Sequence, residues 1–155
     1  MPVHVRISAP DLNRTLRAFR KLESDAQDLA EQVGQEVAQE LADTIRAFAG
    51  SQGRQTARAG ESVEAIGGNP PRVQAGEAGS ALARILVPGT EFGATRKFGW
   101  YRRARYWDST GRQFPPHRGS NSYWFFRTYE AEKPAAIARY VDRLDEIARE
   151  WGSGG

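Results

Sequence analysis

Ala81-Leu82-Ala83-Arg84-Ile85-Leu86-Val87 is an apolar run broken only by Arg84, with Gly79-Ser80 before it and Pro88-Gly89 after it. A run of this length between turn residues reads as the strongest strand candidate in the chain. Working back along the chain, Arg72-Val73-Gln74-Ala75 is a second strand candidate. Glu61-Ser62-Val63-Glu64-Ala65-Ile66 alternates in the period of two that a half-buried strand requires, and Gly67-Gly68-Asn69-Pro70-Pro71 supplies the turn between them. Val3-His4-Val5-Arg6-Ile7 alternates in the same way and is closed by Pro10, which makes a further short strand. Together these segments predict a small meander.

Helical periodicity flanks that sheet on both sides. From Asp11, a plausible cap, Leu12, Leu16, Phe19 and Leu22 recur at helical spacing, and the stripe continues through Leu29, Val33, Val37, Leu41, Ile45 and Phe48. Ala30, Ala38 and Ala42 widen the stripe, which a repeat of four would otherwise carry around a helix of 3.6 residues per turn. Ser24-Asp25 is a candidate break into two helices, and Gly50-Ser51-Gln52-Gly53 ends the segment. At the other end, Ile137, Tyr140, Val141, Leu144, Ile147, Ala148 and Trp151 form a second stripe. Pro134 suits the first turn of that helix, with Thr128 to Lys133 a candidate preceding turn and 152–155 a frayed tail.

The chain has 155 residues, enough for one domain with a substantial core, and is 39% hydrophobic and 26% charged, as soluble globular chains are. It has no cysteine, which excludes disulfides and thiolate metal sites. Its net charge of +3 is too small to argue for nucleic acid on its own. The N-terminus lacks the basic start and apolar run of a secretory signal, and no stretch approaches the ~20 apolar residues of a membrane span, so a cytoplasmic life is expected.

Between Gly89 and about Ser122 no period is sustained, and so long a loop in a compact domain is usually functional. Beyond Glu91 it carries Arg96, Lys97, Arg102, Arg103, Arg105, Arg112 and Arg118, interleaved with Phe98, Trp100, Tyr101, Tyr106, Trp107 and Phe114, against the lone acid Asp108. Arginines beside aromatic rings suit two roles. One is an interface with another subunit, where Trp, Tyr and Arg concentrate. The other is single-stranded nucleic acid, with phosphates neutralised and bases stacked.

Catalysis has little support. The two histidines, His4 and His117, are far apart and neither is patterned with a nucleophile or with metal ligands. Gly89-Thr90-Glu91-Phe92-Gly93 lacks the Gly-Lys-Ser/Thr of a phosphate loop. Glu31, Glu36, Glu40 and Asp43 lie where the solvated face of an amphipathic helix should be. No catalytic, cofactor or metal residues are therefore assigned.

The order of these features resembles the tail-component or tail-completion family of long-tailed bacteriophages. Members have an N-terminal helical segment rich in Ala, Glu and Leu, a short strand region, an apolar strand leading into Glu-Phe-Gly, an aromatic and proline segment, and a C-terminal helix. Here that order is met by Asp11 to Phe48, Ser62 to Val87, Glu91-Phe92-Gly93, Phe114-Pro115-Pro116-His117-Arg118-Gly119 and Tyr123-Trp124-Phe125-Phe126. Gln55-Thr56-Ala57-Arg58-Ala59-Gly60 stands where many members carry Pro and Thr-Gly, and the basic insertion around Tyr101 to Gly111 is longer than is typical.

The resemblance implies a structural virion protein without enzymatic activity, a ring subunit, hexameric by family precedent, that completes the tail or connects it to the head in the neck. Its partners would be further copies of itself, neighbouring neck and tail-tube proteins, and genome DNA contacted in the lumen without sequence preference. A ring needs two different matching surfaces on each copy. Glu91, Phe92 and Gly93 are the candidate subunit-contact element, with Trp100, Tyr101, Tyr106 and Trp107 as interface anchors. Arg102, Arg103 and Arg105 are the candidates for contact with DNA or an acidic partner. The expected fold is a single α+β domain, with a long N-terminal helical segment and the C-terminal helix packed on one face of a small, mainly antiparallel sheet.

Overall fold

A computed structural model describes residues 3–6, 24–68, 70–94, 114–119 and 121–153. They form an α+β arrangement that is mostly helical: strand β1 (Val3–Arg6), helices α1 (Ser24–Ser51) and α2 (Arg54–Gly60), strands β2 (Glu64–Ile66) and β3 (Arg72–Ala75), and helices α3 (Ala81–Phe92) and α4 (Phe125–Ser153).

The long helix α1 follows from its stripe. Ala26, Ala30, Val37, Ala38, Leu41, Ala42, Ile45 and Ala49 are all buried and fall on one face at intervals of three and four. Asp25 in the first turn sits favourably at the positive end of the helix dipole. The helix starts at Ser24, where a break was expected, and the remainder of the expected segment, residues 11–23, lies outside the described residues.

Helix α4 packs along α1, burying Phe125, Tyr129, Ala136, Tyr140, Leu144 and Ile147. The close approach is at Gly34, where a Cβ would lie 3.3 Å from Pro71 Cγ and 3.4 Å from the Tyr140 hydroxyl. Burial, and secondarily the charge of Glu31, pushes that phenol up from 10.0 to about 12. Along the rim of the seam, Arg143 reaches Glu36 and Glu40 at 3.0 Å each, and Arg139 Nε lies 3.1 Å from Glu40 as an ion pair without hydrogen-bond geometry. These partly exposed pairs contribute at most about 1 kcal/mol each.

The sheet is antiparallel in the order β1-β3-β2, with Val5 opposite Val73 and Ala65 opposite Val73 on the other side. It is α1, rather than the C-terminal helix, that meets β2 and β3. The predicted packing of the C-terminal helix on the sheet is therefore corrected to packing on α1.

Two helices stand where the sequence was read otherwise. Residues Arg54–Gly60 form α2, which lies so close to the end of α1 that a Cβ on Gly60 would fall 2.8 Å from the Ala49 Cβ. Ala81–Val87, read as a strand, is the first part of α3. Ser80 caps it, its hydroxyl accepting from Ala83 N at 3.1 Å. The buried positions Ala83, Leu86, Val87, Thr90 and Glu91 then recur at helical spacing. A short continuous apolar run satisfies either period, and here the cap and the residues after Val87 decide for helix.

Pro88 is inside α3, so the expected loop of 89–122 begins only after Phe92. Likewise α4 starts at Phe125, well ahead of Pro134, and continues through Ser153, into the expected frayed tail. No helix among the described residues is long and apolar enough to cross a membrane.

Candidate functional site: the Glu91 staple

Glu91, in the last turn of α3, is 0% exposed. Its carboxylate points at the N-terminus of α4. Oε2 accepts from Trp124 N at 3.2 Å and Phe125 N at 2.7 Å, while Oε1 accepts from Phe126 N at 3.1 Å and from the Ser122 hydroxyl. The Ser122 oxygen in turn accepts from Arg127 N at 3.0 Å, and the Glu91 carbonyl accepts from Tyr123 N at 2.9 Å. The first turn of a helix leaves its N–H groups without intrahelical partners. Here each of those from Trp124 to Arg127 is satisfied by Glu91 or Ser122.

The charge is favourable as well as the geometry. An anion at a helix N-terminus faces aligned N–H dipoles, which compensates for removing the carboxylate from water. Glu91 thus caps a helix that begins 34 residues later in the chain. Thr90 extends the joint: its hydroxyl bonds back to Leu86 O at 2.9 Å and accepts from the Trp124 indole N–H at 3.2 Å.

The neighbours of Glu91 hold the 114–118 stretch. Ala94 N donates to Pro115 O at 2.8 Å, and the Tyr123 hydroxyl donates to Pro116 O at 2.6 Å. His117 Nδ1 lies 3.0 Å from Phe92 O; since a carbonyl can only accept, Nδ1 carries the proton. The Phe92 ring meets Phe126 at 6.3 Å, and Arg118 stacks 4.6 Å over the Tyr123 ring. Gly93 has φ 72°, and a Cβ there would fall 2.3 Å from Pro116 O, so both the conformation and the space require glycine.

Glu91, Phe92 and Gly93 are therefore brought together, and Glu91 and Gly93 are buried within the chain while Phe92 is half-buried. The Glu91 carboxylate is taken up by α4 and is not presented at a surface. The other candidates, Trp100, Tyr101, Tyr106 and Trp107 as anchors and Arg102, Arg103 and Arg105 as cationic contacts, lie outside the described residues. Sequence reasoning did not single out Ser122 or Thr90. A serine just ahead of Tyr123-Trp124-Phe125-Phe126 was a usable sign of a helix start; nothing local could point from Thr90 to Trp124.

Among the described residues no group of three or more His, Asp or Glu gathers within reach of a metal ion. Two open grooves run along α1, one lined by Gln35, Glu36, Gln39 and Glu40 and the other by Asp28, Glu31, Gln32, Gln35, Gly67 and Gly68. The chain matches no protein-family model, no curated protein and no solved structure.

Proposed function

We propose that this chain is a non-enzymatic structural subunit of a long-tailed bacteriophage, completing the tail or joining it to the head as one member of a ring in the neck of the virion. The observation that carries the reading is the order of its parts: a long helix, a small sheet, Glu91-Phe92-Gly93, the proline segment around 114–119 and the aromatic run Tyr123 to Phe126 ahead of a C-terminal helix. The staple gives that order a physical reason. A short motif ending one helix caps the next, so motif, proline segment and aromatic run belong to one joint.

A second reading is a nucleic-acid-binding module. It is favoured by residues 95–113, which hold six cations against the single acid Asp108, leaving the remainder of the chain net acidic. Both readings are tested by light scattering of the purified protein, alone and then with neck and tail-tube proteins. A ring-sized mass, or recruitment into one on adding a tail partner, is the expected result. A monomer that ignores those proteins yet binds DNA at low salt, with an affinity falling steeply as salt rises, would replace the ring reading by the second.

A further inference from the structure

Three large hydrophobic side chains are conspicuously exposed among the described residues: Leu29 at 37%, Leu82 at 45% and Ile85 at 36%. Isolated surface hydrophobics are common and mean little. These differ in their surroundings. Leu82 and Ile85 are one turn apart on the outward face of α3, on either side of the exposed Arg84, and the adjoining α2 adds Arg54 and Arg58. Among the described residues none of these three arginines has an ion-pair partner. The one acid of α3, Glu91, is buried in the staple.

Leu29 lies near the start of α1 with the opposite charge around it. Helix α1 carries Asp25, Asp28, Glu31, Glu36, Glu40 and Asp43 against the single base Arg46. Glu36 and Glu40 are neutralised by Arg143 and Arg139, and Asp43 by Arg46. Asp28 and Glu31, which flank Leu29, have no ion-pair partner among the described residues. Among the described residues the chain therefore presents the apolar pair Leu82 and Ile85 with unpaired cations on α3, and the single exposed Leu29 with unpaired anions on α1. Helix α3 packs on α2 rather than on α1, so the two patches belong to helices that do not pack together.

We propose that copies of the chain associate head to tail, the Leu82–Arg84–Ile85 face of α3 in one copy docking on the Leu29–Asp28–Glu31 face of α1 in the next. The occupant of each patch is a second copy, because each carries the charge opposite to the other's beside apolar surface that both leave exposed. Two different surfaces meeting in this way make a heterologous contact, which closes into a ring or extends as a filament. The proposal rests on the ring reading and names its interface.

The test uses the full chain with Leu82→Asp or Leu29→Asp, both at exposed positions, with circular dichroism confirming an unchanged fold. Sedimentation of the unaltered protein should give a mass rising with concentration above 17.2 kDa. Each variant alone should remain monomeric at concentrations where the unaltered protein assembles, its association weakened by about tenfold or more, the size of effect a central interface side chain has. Mixing the two variants should give a one-to-one dimer and nothing larger, since only one pair of intact patches remains.

A variant that assembles normally, or a mixture that stays monomeric, overturns the proposal. So does an unaltered protein that is monomeric throughout. If unaltered and variant proteins nonetheless form rings once a tail-tube protein is added, the interface is wrong while the ring reading stands.

Discussion

Replacing Glu91 by alanine should destabilise the chain by about 3–5 kcal/mol, the cost of leaving two or three buried amide donors without their acceptor. The structure accounts for the size. The substitution leaves the N–H groups of Trp124, Phe125 and Phe126 without their acceptor, at about 1–3 kcal/mol for each that stays dry. Against this, the cost of burying the carboxylate is recovered, which keeps the total below the simple sum. Glu91→Gln, with nearly the same shape, should lose about 2 kcal/mol, because one oxygen can still accept while the new amide N–H₂ faces donors.

Urea denaturation measures both variants: the midpoint should fall with an unchanged slope, and α4's first amides should exchange faster. An unfolding free energy for Glu91→Ala within about 0.5 kcal/mol of the unaltered protein, the scatter of ordinary surface substitutions, would refute the staple. If that stable variant then failed to assemble, the carboxylate would be a subunit contact after all.

Gly93→Ala should cost roughly 3 kcal/mol or more in the same denaturation assay, since a methyl group would meet Pro116 O at 2.3 Å on a backbone with φ 72°. Gly50→Ala should instead raise stability by about 0.5–1 kcal/mol, because a Cβ there meets nothing within 4 Å and alanine is the better helix former. One tyrosine should titrate late by phenolate absorbance, near 12, and Tyr140→Phe should remove that step. Because the folded value lies above the unfolded 10.0, Tyr140's stabilising contribution is intact below pH 10 and is lost as pH rises through about 12, so Tyr140→Phe should flatten the alkaline decline in stability.

The elements with one unambiguous period were legible in the sequence. Arg72–Ala75 is a strand at the predicted residues, Val3–Ile7 and Glu61–Ile66 contain strands, and most of the apolar stripe of each of α1 and α4 faces the core, with Leu29 and Ala148 exposed instead. Ala81–Val87 was not legible as a helix because apolar residues on nearly every position fit both periods. The polar α2 has no stripe of its own; it is a helix where the chain, leaving α1, turns back against Ala49. At the site, Glu91-Phe92-Gly93 could be recognised as a unit from its spelling, but its task could not. The acceptors of Glu91 serve donors 33 to 35 residues away, and only the packed structure shows which amides those are.

That separation bears on how the joint would behave in an assembly. Ala94 N donates to Pro115 O at 2.8 Å, which brings the 114–118 stretch back beside the end of α3. The return is fixed on one side by Gly93 and Phe92 and on the other by Tyr123, whose hydroxyl holds Pro116. Displacing the 114–118 stretch would therefore disturb the turn that aligns Trp124, Phe125 and Phe126 on the Glu91 carboxylate before it disturbed the α1–α4 seam. The seam's rim is made of partly exposed ion pairs that yield cheaply, whereas the staple is a buried charge with every acceptor in use.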